Sequence, residues 1–106
     1  MITAVIITAR GEQLLKACIN SILLQTRAVE KIVVVHSYPC VQLKSAVQYI
    51  YTEGYKGYAH AVNRGLKVVS TPYFMILNDD TILHKNCIEE LTSQLGPNRI
   101  LQPQIR

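Results

Sequence analysis

Ile2-Thr-Ala-Val-Ile-Ile-Thr8 is a short, largely β-branched run that is apolar at consecutive positions. Directly behind it Leu14, Leu15, Cys18, Ile19, Ile22 and Leu23 recur at helical spacing. A strand followed by an amphipathic helix is the reading. The strand lacks the in-and-out alternation of a half-exposed sheet, so it belongs in a parallel sheet with helices covering both faces.

The same alternation of patterns extends along the chain. Ile32 to Val35 is a second strand, and Val47 to Thr52 a third, preceded by a short, weak helical stretch over Val41 to Ala46. Ala59, Val62, Leu66 and Val69 mark a helix that ends before Pro72, and Tyr73 to Leu77 is another fully apolar strand. Ile88, Leu91 and Leu95 form one face of a helix stopped by Gly96 and Pro97, and Arg99 to Gln102 is a final strand. The fold class is therefore α/β: a Rossmann-like, mostly parallel sheet with helices on both faces.

At 106 residues the chain has the size of one domain with one modest core, spanning 1–106. Eleven Lys and Arg against seven Asp and Glu give a net charge of +4, which favours anionic ligands. These cations are scattered rather than clustered, so nucleic acid is not an expected partner. The three cysteines, Cys18, Cys40 and Cys87, lie far apart with no metal-site spacing, as expected of reduced, intracellular thiols. No apolar run reaches membrane-spanning length, so the expectation is a cytoplasmic protein with at most peripheral membrane contact.

In such sheets ligands bind beyond the carboxyl ends of the strands. The loops concerned are Thr8 to Gly11, His36 to Cys40, Glu53 to Gly57 and Asn78 to His84. Neither the P-loop pattern nor G-x-G-x-x-G is present, and no hydrolase or zinc-protease motif appears. Asn78-Asp79-Asp80, delivered at the end of an apolar strand, holds the only two aspartates in the chain. Asn78 and Asp80 project to one side and Asp79 to the other. Oxygen donors of this kind suit magnesium or manganese, which keep several waters and take further ligands from substrate phosphates. These residues are equally good turn formers, and Asp80 could cap the following helix. Gly57 to Gly65 places small residues at alternate positions, with Asn63 and Arg64 among them, which suits either close helix packing or a ligand's polar group.

Taken in order, these segments resemble the donor-binding half of GT-A glycosyltransferases of the family 2 type. There a V-I-I-P-T-Y-N strand and turn precedes a helix ending S-I-L-x-Q-T. An I-V-V-V-D strand, a G-x-A-x-A-x-N-x-G helix and a strand ending in an acidic metal motif follow. The matching stretches here are Val5 to Gly11, Ser21-Ile-Leu-Leu-Gln-Thr26, Lys31 to His36, Gly57 to Gly65, and Leu77-Asn-Asp-Asp80.

The resemblance implies a nucleotide-diphosphate sugar as ligand. Thr8, Ala9, Arg10 and His36 would flank the nucleoside, with Gly57, Asn63 and Arg64 near the donor pocket. Asn78, Asp79 and Asp80 would stand for the family's D-x-D, with Asp80 holding a divalent cation, Mn or Mg, against the pyrophosphate. Thr8-Ala9 replaces the family's Pro-Thr, His36 its base-contacting Asp, and Asn78 its first metal-motif Asp. The acceptor-binding half has no counterpart before Arg106, and no residue matches its acceptor-activating carboxylate. The implied function is a glycosyltransferase-like domain, active if a homodimer or a partner subunit completes its site. The alternative is a non-catalytic nucleotide-sugar-binding or regulatory module.

Overall fold

A computed structural model describes residues 2–8, 12–26, 28–38, 47–54 and 56–92. The order is β1 (Ile2–Thr8), α1 (Glu12–Leu23), β2 (Lys31–His36), β3 (Val47–Tyr51), α2 (Tyr58–Leu66), β4 (Tyr73–Asn78) and α3 (Cys87–Thr92). The expected helix over Val41 to Ala46 and the strand over Arg99 to Gln102 lie outside the described residues, as do Gly96 and Pro97.

The four strands form one sheet in the order β3-β2-β1-β4, parallel throughout. β1 is central, with both edges paired and both faces covered, and every residue from Ile2 to Thr8 is buried. The unbroken apolar run in the sequence reflects that position. β3 is an edge strand, and Gln48 and Tyr51 face outward.

Chain direction explains how the helices divide. From β1 to β2 the chain steps one way across the sheet, while from β3 to β4 it steps back past β2 and β1. Crossovers of one hand then put the two connecting helices on opposite faces. Leu15, Cys18, Ile19 and Ile22 of α1 pack with Ala4, Ile6, Val34 and Met75 on one face, and Ile88 of α3 joins them. Ala61 of α2 packs on Val5, Ile7, Val33 and Val35 on the other. α2 sits very close to the sheet at Gly65, where a Cβ would lie 2.6 Å from Val5 Cγ1 and 3.1 Å from Val35 Cγ2.

This arrangement brings the carboxyl ends of β1, β2 and β4, and the first turn of α2, to one edge of the sheet.

Candidate functional site

The strand pleat separates the two aspartates. β4 ends at Asn78, and the turn after it leaves Asn78 and Asp80 exposed while Asp79 is 3% exposed. Thr8, at the end of the neighbouring β1, donates from Oγ1 to Asp79 Oδ2 at 2.7 Å and is itself buried. The turn closes with Thr81 N–H donating to the Asn78 carbonyl at 3.1 Å. The adjacent carboxylates therefore do not act as a side-by-side pair: Asp79 is turned into the protein and Asp80 stands at the rim.

Beneath this turn lies Cys18 of α1, whose Sγ donates to the Asn78 carbonyl at 3.8 Å. Burial, together with the nearby charges of Asp79 and then Asp80, pushes its thiol up from 9.0 to about 12. Cys18 is thus an inert packing residue rather than a nucleophile.

The stretch Ser21 to Thr26 turns out to be a clamp on the chain leaving the turn. Ser21 Oγ accepts from Leu83 N–H at 3.1 Å and donates to the Cys18 carbonyl at 2.7 Å. Gln25 is 8% exposed, and its Nε2 donates to the carbonyls of His84 at 2.7 Å and Ser21 at 3.0 Å. Its Oε1 accepts from Ile88 N–H at 2.9 Å, in the first turn of α3. Thr26 N–H donates to the Lys85 carbonyl at 2.8 Å, and Thr26 Oγ1 to Glu89 Oε2 at 2.7 Å. The sequence marks these residues as a motif without revealing that one amide fastens three backbone groups.

His36, the last residue of β2, is 7% exposed. Its Nδ1 lies 2.7 Å from the Tyr38 carbonyl, and its ring stacks on Tyr51 with centroids 5.3 Å apart. Tyr38 and Tyr49 meet the ring edge-on. The Tyr38 hydroxyl lies 3.4 Å from Thr8 Oγ1, which links this aromatic cluster to Asp79. Tyr49 and Tyr51 thus serve to pack His36, while Tyr58 is exposed on α2.

On the other face a small pocket opens between the ends of β1 and β2 and the start of α2. Thr8, Ser37, Thr52, Lys56, Gly57 and His60 are among the residues around it. Gly57 precedes α2 with φ +96°, a conformation that favours glycine, and no side chain caps the helix there. His60 is on the first turn of α2, and its Nε2 is buried, without a hydrogen-bond partner among the described residues. Asn63 and Arg64 border a wider, open surface depression with His60, Leu66 and Lys67, so His60 lies between the two. The structure thus brings Thr8, His36 and Asp79 into one network, and Thr8 and Gly57 to one pocket, while Asn63 and Arg64 sit further along α2. Ala9 and Arg10 lie outside the described residues.

Among the described residues no group of three or more His, Cys, Asp or Glu side chains is placed to hold a metal ion. Asp80, with the Asn78 amide nearby in sequence, offers only oxygen donors at an exposed rim. That set fits a hard divalent cation taking most of its shell from water and a ligand's phosphates, and does not fit zinc.

The sequence model of glycosyl transferase family 2 matches residues 3–100. The chain belongs to this family. Among solved structures, the crystal structure of S. aureus TarS is similar to this family 2 chain with a TM-score of 0.74 at 16% identity. The match covers 87% of this chain and 19% of TarS, so the chain spans about a fifth of that protein's length. No curated protein matches it in sequence. The family 2 membership accounts for the Rossmann-like sheet, and no helix among the described residues is long and apolar enough to cross a membrane.

Proposed function

We propose that this chain is the donor-binding half of a family 2 glycosyltransferase, binding a nucleotide-diphosphate sugar through a divalent cation at Asp80. The observation that carries this reading is the division of labour at the end of β4, where Thr8 holds Asp79 inward and Asp80 is presented at the rim. A bound Mn or Mg ion would supply electrostatic stabilisation of the charge that develops on the departing diphosphate.

The protein's own part is to keep that turn stiff. Thr8 fixes the turn from β1, and Ser21 and Gln25 fix the chain that leaves it, so Asp80 is held in place before any ligand arrives. The reading extends to a cytoplasmic site of action, with transfer to an acceptor completed by a second copy or a partner subunit.

A second reading is a binding module without transfer: among the described residues, the acids that follow Asp80, Glu89 and Glu90, lie on α3 rather than in the site. Calorimetry with UDP-, GDP- and dTDP-sugars, with manganese and with EDTA, tests the common core of both. Divalent-dependent binding of at least one sugar nucleotide, lost in Asp80→Ala, is expected. Its absence in the wild-type chain overturns both readings. Release of free sugar or its transfer then separates enzyme from module.

A further inference from the structure

The two most exposed large apolar side chains among the described residues, Leu24 at 74% and Ile82 at 60%, stand on opposite banks of one groove. One bank is the outer face of α1 and its continuation, with Ala17, Ser21 and Leu24. The other is the segment that leaves the β4 turn, with Ile82, Leu83 and Lys85. Leu14, also exposed, extends the first bank, since residues 14, 17, 21 and 24 share one stripe at helical spacing. The groove is preformed. Ser21 accepts from Leu83 N–H, and Gln25 donates to the His84 carbonyl, so both banks are fastened to each other. Apolar surface gathered in this way marks an interaction site.

Charge selects the occupant. The exposed segment is negative at Asp80, apolar at Ile82 and positive at Lys85. A second copy related by a two-fold axis close to Ile82 runs antiparallel, which sets Asp80 of each chain opposite Lys85 of the other. Unlike charges then meet on both sides of the apolar contact. An uncharged lipid chain offers no such match. Ile82 follows Asp80 by two residues, a span of about 7 Å at most, so the contact reaches the rim of the proposed donor site. We propose that two copies of this chain associate through this groove, and that Lys85 of the partner subunit stands beside Asp80 as a cation for the bound diphosphate. The role of Lys85 rests on the donor-site reading above, while the association does not.

Sedimentation equilibrium of the full chain is expected to show a monomer–dimer equilibrium. Leu24→Glu and Ile82→Glu should each weaken it by about tenfold or more. Their circular dichroism should match the wild type, because both side chains are exposed. Lys85→Glu should weaken the dimer too, whereas Lys16→Glu, the same charge change on α1 but outside the groove, should not. Calorimetry with UDP, GDP and ADP, each with manganese, reads the site. Leu24→Glu, held monomeric, should bind the preferred nucleotide about fivefold more weakly than the wild-type dimer.

A wild type that stays monomeric at millimolar concentration would overturn the proposal. So would a dimer that Leu24→Glu and Ile82→Glu leave intact, or one that Lys16→Glu weakens as much as Lys85→Glu does. Flotation of wild type with phosphatidylcholine vesicles, lost in Leu24→Glu, would give the groove to lipid and overturn it as well. Unchanged nucleotide affinity in monomeric Leu24→Glu would overturn the role of Lys85. A wild type that dimerises through the groove but binds none of the three nucleotides would overturn the donor-site reading, and support the association alone.

Discussion

A carboxyl group only 3% exposed must be met by donors, and Thr8 supplies one to Asp79 at 2.7 Å. Thr8→Val removes that donor while keeping the shape, and is expected to cost about 1–3 kcal/mol, read as a lowered midpoint in urea unfolding. Asp80 stands exposed at the rim of the same turn. Asp80→Ala is expected to abolish manganese-dependent nucleotide-sugar binding, read by calorimetry.

Cys18 gives a pH signature. Its thiol titrates near 9.0 in the unfolded chain and about 12 in the folded one, so above pH 9 the unfolded state loses its proton first. The thiol's contribution is fully present below pH 9 and falls by about 1.4 kcal/mol per pH unit as the pH rises toward 12. Urea unfolding of wild type and Cys18→Ala across that range should differ by this slope, and Cys18 should resist iodoacetamide until the chain unfolds. The sequence exposed the two aspartates because they are the only ones. It could not reveal that His36 is stacked on Tyr51 or that His60 Nε2 is buried, since both depend on contacts across strands.

The elements were legible where hydrophobic period was strong. Ile2 to Thr8 and Tyr73 to Leu77 read as strands because both faces are covered, and α1 showed its stripe through Leu15, Cys18, Ile19 and Ile22. The role of Gln25 was not legible, because a polar residue just past a helix reads as solvent-facing until its distant partners are known. With Ser21, Gln25 joins α1 to the segment between β4 and α3. Gln25→Leu strands the Ile88 N–H and the His84 carbonyl, and is expected to destabilise by about 2–4 kcal/mol on the scale of one to two unmet buried groups, measured by denaturant unfolding. The sequence leaves the small residues of Gly57 to Gly65 open to close packing or to a ligand, and at Gly65 the missing Cβ is what lets α2 lie against Val5 and Val35. Gly65→Ala gains about 1 kcal/mol of helix propensity but forces α2 or the two valines aside, so a net loss of about 1–2 kcal/mol is expected by thermal unfolding.

At the scale of the molecule, the all-parallel order β3-β2-β1-β4 follows from strand–helix alternation and a single crossover hand. Those features, rather than any single motif, put Thr8, His36 and Asp80 along one edge. Family 2 membership was legible because five weak segments fall in one order. The separation of Asp79 from Asp80 was not, since it depends on the pleat and on Thr8 across the strand pair. The most direct test is a crystal of the chain with a nucleoside diphosphate and manganese, read by anomalous scattering. The account predicts a manganese peak in contact with the Asp80 carboxylate and the diphosphate, with Asp79 still bonded to Thr8. A bound nucleotide whose manganese lies away from Asp80, or no manganese at all beside a bound diphosphate, would contradict it.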